Sequence, residues 1–541
     1  MTRQSPRPSR PPTTPGFAWP LALTPGLLSL ALLPVALLAP GCSENSLAYK
    51  GSADAYDTGG HANTPVDTGG TSTDTGGSET EDPYFKLPPA GTDAYVFVAN
   101  PDRNTVTRIQ VPQLTVDTAT VGTNPTQVQT TADYKRAVTL NEGSDDISII
   151  DAVSFTVDTV AIRDNFNAMS LSGDGKWAAA WYDPNAPSAA SSGGIQTFNE
   201  VSFVNLDAKV HTPMVVGFNP RGIRWSADGT LAVVVSDASL AVIDLTATTL
   251  SPQLVSLSDD PVNAPAAEEV ELSPDSNWAF VRQFGTNSIV LVDLHNLTAE
   301  LLPVGENPTD EDLSPDGSEM AVMARGSHEL WIFDPVDPLA SPRVVSTPAD
   351  NTYGSVVYAG DGSQALLYTN ASAVSEFATW NTSTDVITER ALEKPVETIA
   401  ISPTGGSALI FHTQTDAADA DPSSPFYGNW ALTLVDLTDF RQNPILLPAE
   451  PTGYSTTTDG KYGFYLLDGY NFLEVLDFGT MLPEEITLKS PPVFVGNLPD
   501  TDIAFASQEN NLGRISFYTA DSGTLDTITG FELNSQIDHE E

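Results

Sequence analysis

Cysteine is almost missing from this chain of 541 residues: Cys42 stands alone. No intramolecular disulfide can form, so any fold must hold by packing and hydrogen bonding. Basic residues are scarce too, 23 Lys and Arg against 70 Asp and Glu, for a formal charge of -47. The acids make up about 13 per cent of the chain and the bases about 4 per cent, so it is basic-poor rather than acid-rich. Such a surface repels polyanions, which excludes nucleic acid as a partner. No Gly-x-Ser-x-Gly elbow occurs, and no helical stretch could build the α/β domain that carries one. His328-Glu329 lacks a second histidine at the spacing a zinc hydrolase needs. The six histidines, at 61, 211, 295, 328, 412 and 539, are scattered and read as surface or strand-end residues. No catalytic residue, metal ligand set or cofactor is therefore assigned from the sequence.

What is present begins with an export signal. Arg3, Arg7 and Arg10 precede an uncharged apolar run from Phe17 to Leu38, broken by Pro20, Pro25, Gly26 and Pro34. A positive start followed by such a run reads as a signal peptide over residues 1–41, cleaved rather than kept as a spanning helix. The run ends at Gly41-Cys42, which resembles a bacterial lipoprotein lipobox. That resemblance implies that Cys42 becomes the new N-terminus and carries a lipid. The membrane is then a partner through this anchor, and the expected location is the cell envelope, at the outer membrane or cell surface.

Residues 42–83 repeat Asp-Thr-Gly-Gly at 57, 67 and 74 among Ser, Thr and acids, without hydrophobic periodicity. A segment of this kind cannot bury a core and is expected to act as a flexible tether spanning roughly 35 Å.

From residue 84 onward the chain repeats itself. Val-Gly-x-x-Pro recurs at Val121, Val216, Val304 and Val495, spacings that divide into units of about 44 to 48 residues. Turns of Ser-Pro-Asp-Gly type recur at Ser172, Ser226, Ser273, Ser314 and Ser402, each before an apolar run, with Gly supplying positive φ and Asp or Ser capping the backbone. Apolar strands end in an acid at Asp151, Asp244, Asp293, Asp334, Asp436 and Asp477. Together these markers predict an all-β fold of about ten units over 84–541. Each is a four-stranded antiparallel blade of a β-propeller, and the absence of a Pro/Gly/Ser-rich linker between halves favours one ring. Trp177 and Trp278, two residues past equivalent turns, are expected to pack between blades.

Tyr95-Val96-Phe97-Val98-Ala99-Asn100, then Asn104-x-Val106-x-x-Ile109, then Val121-Gly122-x-x-Pro125 resembles the YVTN-type β-propeller repeat of bacterial and archaeal surface proteins. The later copies are worn: the Ala-Asn step becomes Leu140-Asn141, Ser236-Asp237 and Thr369-Asn370.

Propeller topology places the loops between second and third strands on one face with the Val-Gly-x-x-Pro connections. Two such loops are enlarged, at 183–200 and 413–428. Binding residues usually lie on loops carried by a rigid scaffold. The aromatic and acidic residues at their roots, Trp181, Tyr182, Asp183, Phe426, Tyr427 and Trp430, are the expected contacts with an envelope or extracellular protein, peptide or glycan. The function expected is a non-enzymatic binding scaffold. The alternative is a lactonase-like hydrolase, with acids and a histidine converging on the propeller axis.

Overall fold

A computed structural model describes residues 48–49, 89–186, 197–260, 265–283, 285–349 and 352–534. The expected signal peptide, Cys42 and nearly all of the tether lie outside the described residues. So does 187–196, within the first enlarged loop.

Ten four-stranded antiparallel sheets follow one another in chain order: 90–120, 125–161, 168–215, 220–256, 269–303, 308–346, 355–391, 398–447, 451–487 and 492–529. They form a ten-bladed β-propeller, numbered here blades 1 to 10, in one ring as the repeats predict. Apolar clusters fill the gap between each blade and the next; for example Trp181 and Phe203 of blade 3 pack with Ile223 and Val234 of blade 4. Trp177 and Trp278 lie against two of these clusters, as expected.

Both ends of the ring meet by packing, since blade 1 and blade 10 each take all four strands from one stretch of chain. Val96, Ile109 and Val111 pack against Phe505, Phe517 and Phe531. Two polar links lock the seam: Thr107 Oγ1 donates to the Phe531 carbonyl at 3.3 Å, and Arg103 pairs with Glu532 at 2.8 Å.

The sequence markers acquire physical reasons. At the first turn of a blade, Ser172 Oγ donates to Asp174 Oδ1 at 2.7 Å, and Asp174 accepts the Lys176 N–H at 3.1 Å; Ser226/Asp228, Ser273/Asp275 and Ser314/Asp316 repeat the device. The closing glycine sits at positive φ, +69° at Gly405, where a side chain would also strike the backbone of Gly360. The acid ending the third strand caps the next turn: Asp293 Oδ1 accepts the His295 and Asn296 N–H groups at 3.0 and 2.7 Å. The asparagine ending the second strand ties it to the third, through Asn100 to Thr107 at 2.9 Å and Asn141 to Ser148 at 2.9 Å. In Val-Gly-x-x-Pro, the glycine lies against the following second-to-third loop, and a Cβ on Gly122 would collide with Ser144 and Asp146. The proline opens the next inner strand at Pro125, Pro220 and Pro308, just before a bulge.

One marker is misplaced. Val495-Gly496 lies inside the inner strand Pro492–Asn497, and Pro492, followed by the same bulge, is the true counterpart. The unit count survives because the turns and strand-end acids keep phase independently.

An inner strand offers half of its N–H and C=O groups to the channel rather than to its own sheet, a free edge that needs cover. Side chains from the preceding blade provide it. Gln129 donates to the Met169 carbonyl at 3.0 Å, Arg224 to the Val270 carbonyl at 2.7 Å, and Asp310 and Asp312 accept the Val356 and Tyr358 N–H groups at 2.6 and 3.0 Å. The corresponding strand of blade 7, Ser355–Tyr358, carries no such acid or amide, and the edge of blade 8 is paired instead with Ala48–Tyr49. These buried polar contacts explain why inner strands as polar as Pro308–Leu313 stay in the sheet.

Candidate functional site

The two enlarged loops join second to third strands in blades 3 and 8, on the predicted face. Their roots differ sharply. Trp181, Tyr182 and Asp183 are buried. Trp181 belongs to the core between blades 3 and 4, Tyr182 to that between blades 2 and 3, and the Asp183 backbone is clamped by the Asn167 amide at 2.7 and 2.9 Å. Trp181 and Tyr182 are therefore packing residues and Asp183 anchors the loop, because burial on both faces of the second strand of blade 3 continues two residues past its end at Trp181. Exposed aromatics do occur beside this loop, but at positions that sequence reasoning missed: Phe198 stacks on Phe218, which is 67% exposed. The available signal was an aromatic, Phe218, at the Val-Gly-x-x-Pro position that holds Thr123 and Glu306 in other copies.

At blade 8 the expected residues are accessible: Tyr427 is 45% exposed, and Phe426 and Trp430 are partly so. The loop over 413–429 is organised around Lys394, whose side chain is only 1% exposed. Its Nζ donates to Asp416 Oδ1 at 2.6 Å and to the carbonyls of Phe426 and Gln414 at 3.2 and 3.4 Å. Asp416 Oδ2 in turn accepts the Gly428 N–H at 2.8 Å. A buried ammonium needs this many acceptors, and satisfying it fixes the loop on both sides of its tip.

Beneath the loop a cleft of about 60 Å³ opens between blades 8 and 9, lined by Glu397, Phe411, His412, Thr413, Trp430 and Glu450. Every lining residue lies at or just beyond the end of a strand on this face, which is why no local motif announced it.

His412 occupies the slot that Asn100 and Asn141 fill in other blades. Its Nε2 meets Thr433 Oγ1 at 2.8 Å, two residues past its strand partner, as Asn141 meets Ser148. Its Nδ1 meets the Pro395 carbonyl at 2.8 Å. Burial pushes its pKa down to about 4; the Pro395 contact opposes that and the Lys394 charge adds to it. The folded protein thus excludes a proton that the unfolded chain binds below about pH 6.5. Stability is full above that pH and declines by about 3 kcal/mol as pH falls towards 4. His412→Asn, which restores the repeat's own residue, is expected to flatten this decline. Urea midpoints at about pH 7 and about pH 4.5 check it; equal acid losses in both proteins would refute the assignment.

Among the described residues, no group of three or more His, Cys, Asp or Glu is placed to hold a metal ion, and no helix is long and apolar enough to cross a membrane.

No family model matches the chain, and no curated protein sequence does. Among solved structures, a eukaryotic initiation factor is similar over 73% of this chain and 96% of its own, with a TM-score of 0.50 and 11% identity. Hydrazine synthase from Kuenenia stuttgartiensis matches 57% of this chain and 95% of its own (TM-score 0.31, 17% identity). The dihydro-heme d1 dehydrogenase NirN in complex with DHE matches 74% and 76% (TM-score 0.43, 13% identity). At these identities the likeness concerns the fold alone.

Proposed function

We propose that this protein is an exported, lipid-anchored propeller of the YVTN type that acts without catalysis. It holds an envelope or extracellular partner on the face carrying the second-to-third loops. The observation that carries this reading is the pairing of exposed Tyr427 and half-buried Phe426 and Trp430 with a loop pinned by a buried lysine. Aromatics on a pre-ordered loop bind at little entropic cost, which suits recognition.

Tyr427→Ala is expected to weaken capture of the partner by about 1 kcal/mol or more, roughly fivefold, while thermal stability stays unchanged. Pull-down from envelope extracts and melting curves on the same preparation check this; unchanged capture would refute the assignment of the face.

The anchor makes a separate claim. Mature protein is expected to begin at lipidated Cys42 and to partition with detergent, and Cys42→Ala to leave precursor uncleaved. Intact-mass analysis decides: an unmodified thiol with residues 1–41 retained would remove the lipid anchor from this reading.

A further inference from the structure

Building on that reading, we propose that the cleft between blades 8 and 9 receives the positively charged head group of a lysine or arginine side chain on a partner peptide. Size makes the first selection. About 60 Å³ holds a few water molecules, a space that suits a compact head group such as an ammonium or guanidinium. Charge makes the second. Glu450, exposed at the rim, places a carboxylate in the cleft, and Lys394, the cation that acts on His412, is engaged with Asp416 below the loop. His412 lines the same cleft and is neutral at physiological pH, so it adds no positive charge. The exposed Glu450 carboxylate is therefore the charge that the cleft presents to a ligand.

Shape makes the third selection. Phe411 and Trp430 give the cleft aromatic walls, and a tryptophan face attracts a cation while packing on its methylene stem. The wider field acts in the same direction, because a chain of formal charge -47 draws basic segments towards it and repels acidic ones.

The test uses the full propeller labelled with 5-fluorotryptophan, the Trp430 resonance being assigned by its loss in Trp430→Phe. The probes are acetylated, amidated pentapeptides of Gly and Ser with a central Arg, Lys, norleucine or acetyl-lysine. Arg and Lys peptides are expected to shift the Trp430 signal, while the two neutral peptides leave it in place. Glu450→Gln is expected to weaken the Arg peptide about tenfold, and about 0.5 M NaCl to do the same. Glu450 is exposed, so this variant folds; Glu397→Gln provides a second variant with the same expected direction. Equal shifts from neutral peptides, affinity indifferent to both Gln variants, or a Trp430 shift produced by chitobiose but not by the Arg peptide would each overturn the proposal. If no peptide moves Trp430 while Tyr427→Ala still weakens partner capture, the cation site fails and the binding face stands. If the Arg peptide binds while capture ignores Tyr427, the face reading fails instead.

Discussion

Arg282→Met is expected to cost about 3 kcal/mol, among the largest single losses in this fold. Arg282 pairs with Glu269 at 2.9 Å, with only 12 and 10% of the two side chains exposed. Glu269 Oε2 also accepts the Glu311 N–H from the neighbouring blade at 3.1 Å, so the pair helps to cover an inner-strand edge. Burial opposes the guanidinium charge, but Glu269, Glu268 and Glu311 outweigh it and hold the arginine more firmly protonated than usual. Without Arg282 these carboxylates remain crowded between blades 5 and 6 with less compensation, and removing one partner of a buried pair costs far more than the pair itself contributes. Methionine keeps the volume, so the loss reports charge rather than a cavity. Chemical denaturation at neutral pH checks it, and a midpoint within error of wild type would show that the acids are satisfied without Arg282. Replacing Arg282 and Glu269 together by Met and Gln is expected to recover part of the loss.

Trp181→Ala is expected to cost about 3–5 kcal/mol, the range for deleting a large aromatic from a core. The side chain is 1% exposed and fills the gap between blades 3 and 4 with Val201, Phe203 and Ile223. A ring of blades cannot close over such a void without shifting both neighbours, so relaxation recovers little. The contrast with Tyr427 is the decisive measurement, because the sequence put both residues in one class of contact. Truncating Trp181 lowers the denaturation midpoint and reduces capture only in proportion to unfolding, whereas truncating Tyr427 does the reverse. A normal midpoint for Trp181→Ala, with capture selectively lost, would return this residue to the binding surface.

The difference between those two residues separates local from tertiary information. Blade architecture was legible because each blade repeats its own local chemistry: Ser172 and Asp174 close a turn within four residues, and Asp293 caps the turn it begins. Interactions of such short span are written in consecutive residues, so even worn copies keep phase. A marker failed where its letters recurred without the contact that gives them meaning. Val495-Gly496 lies within a strand and does not serve as a blade-to-blade connection.

By itself, then, the sequence determined the strand period, the turns, the ten units and the face on which the enlarged loops emerge. Tertiary structure alone decided which root aromatics point into the gap between blades and which stand in solvent, since alternation along a strand does not say which neighbour lies opposite. It also decided that His412 fills an asparagine slot, that Lys394 pins a loop some twenty residues away in the chain, and that Glu397 and Glu450 share one cleft. Those residues meet because adjacent blades splay from a common axis, bringing the ends of separate strands together at distances that sequence spacing does not encode.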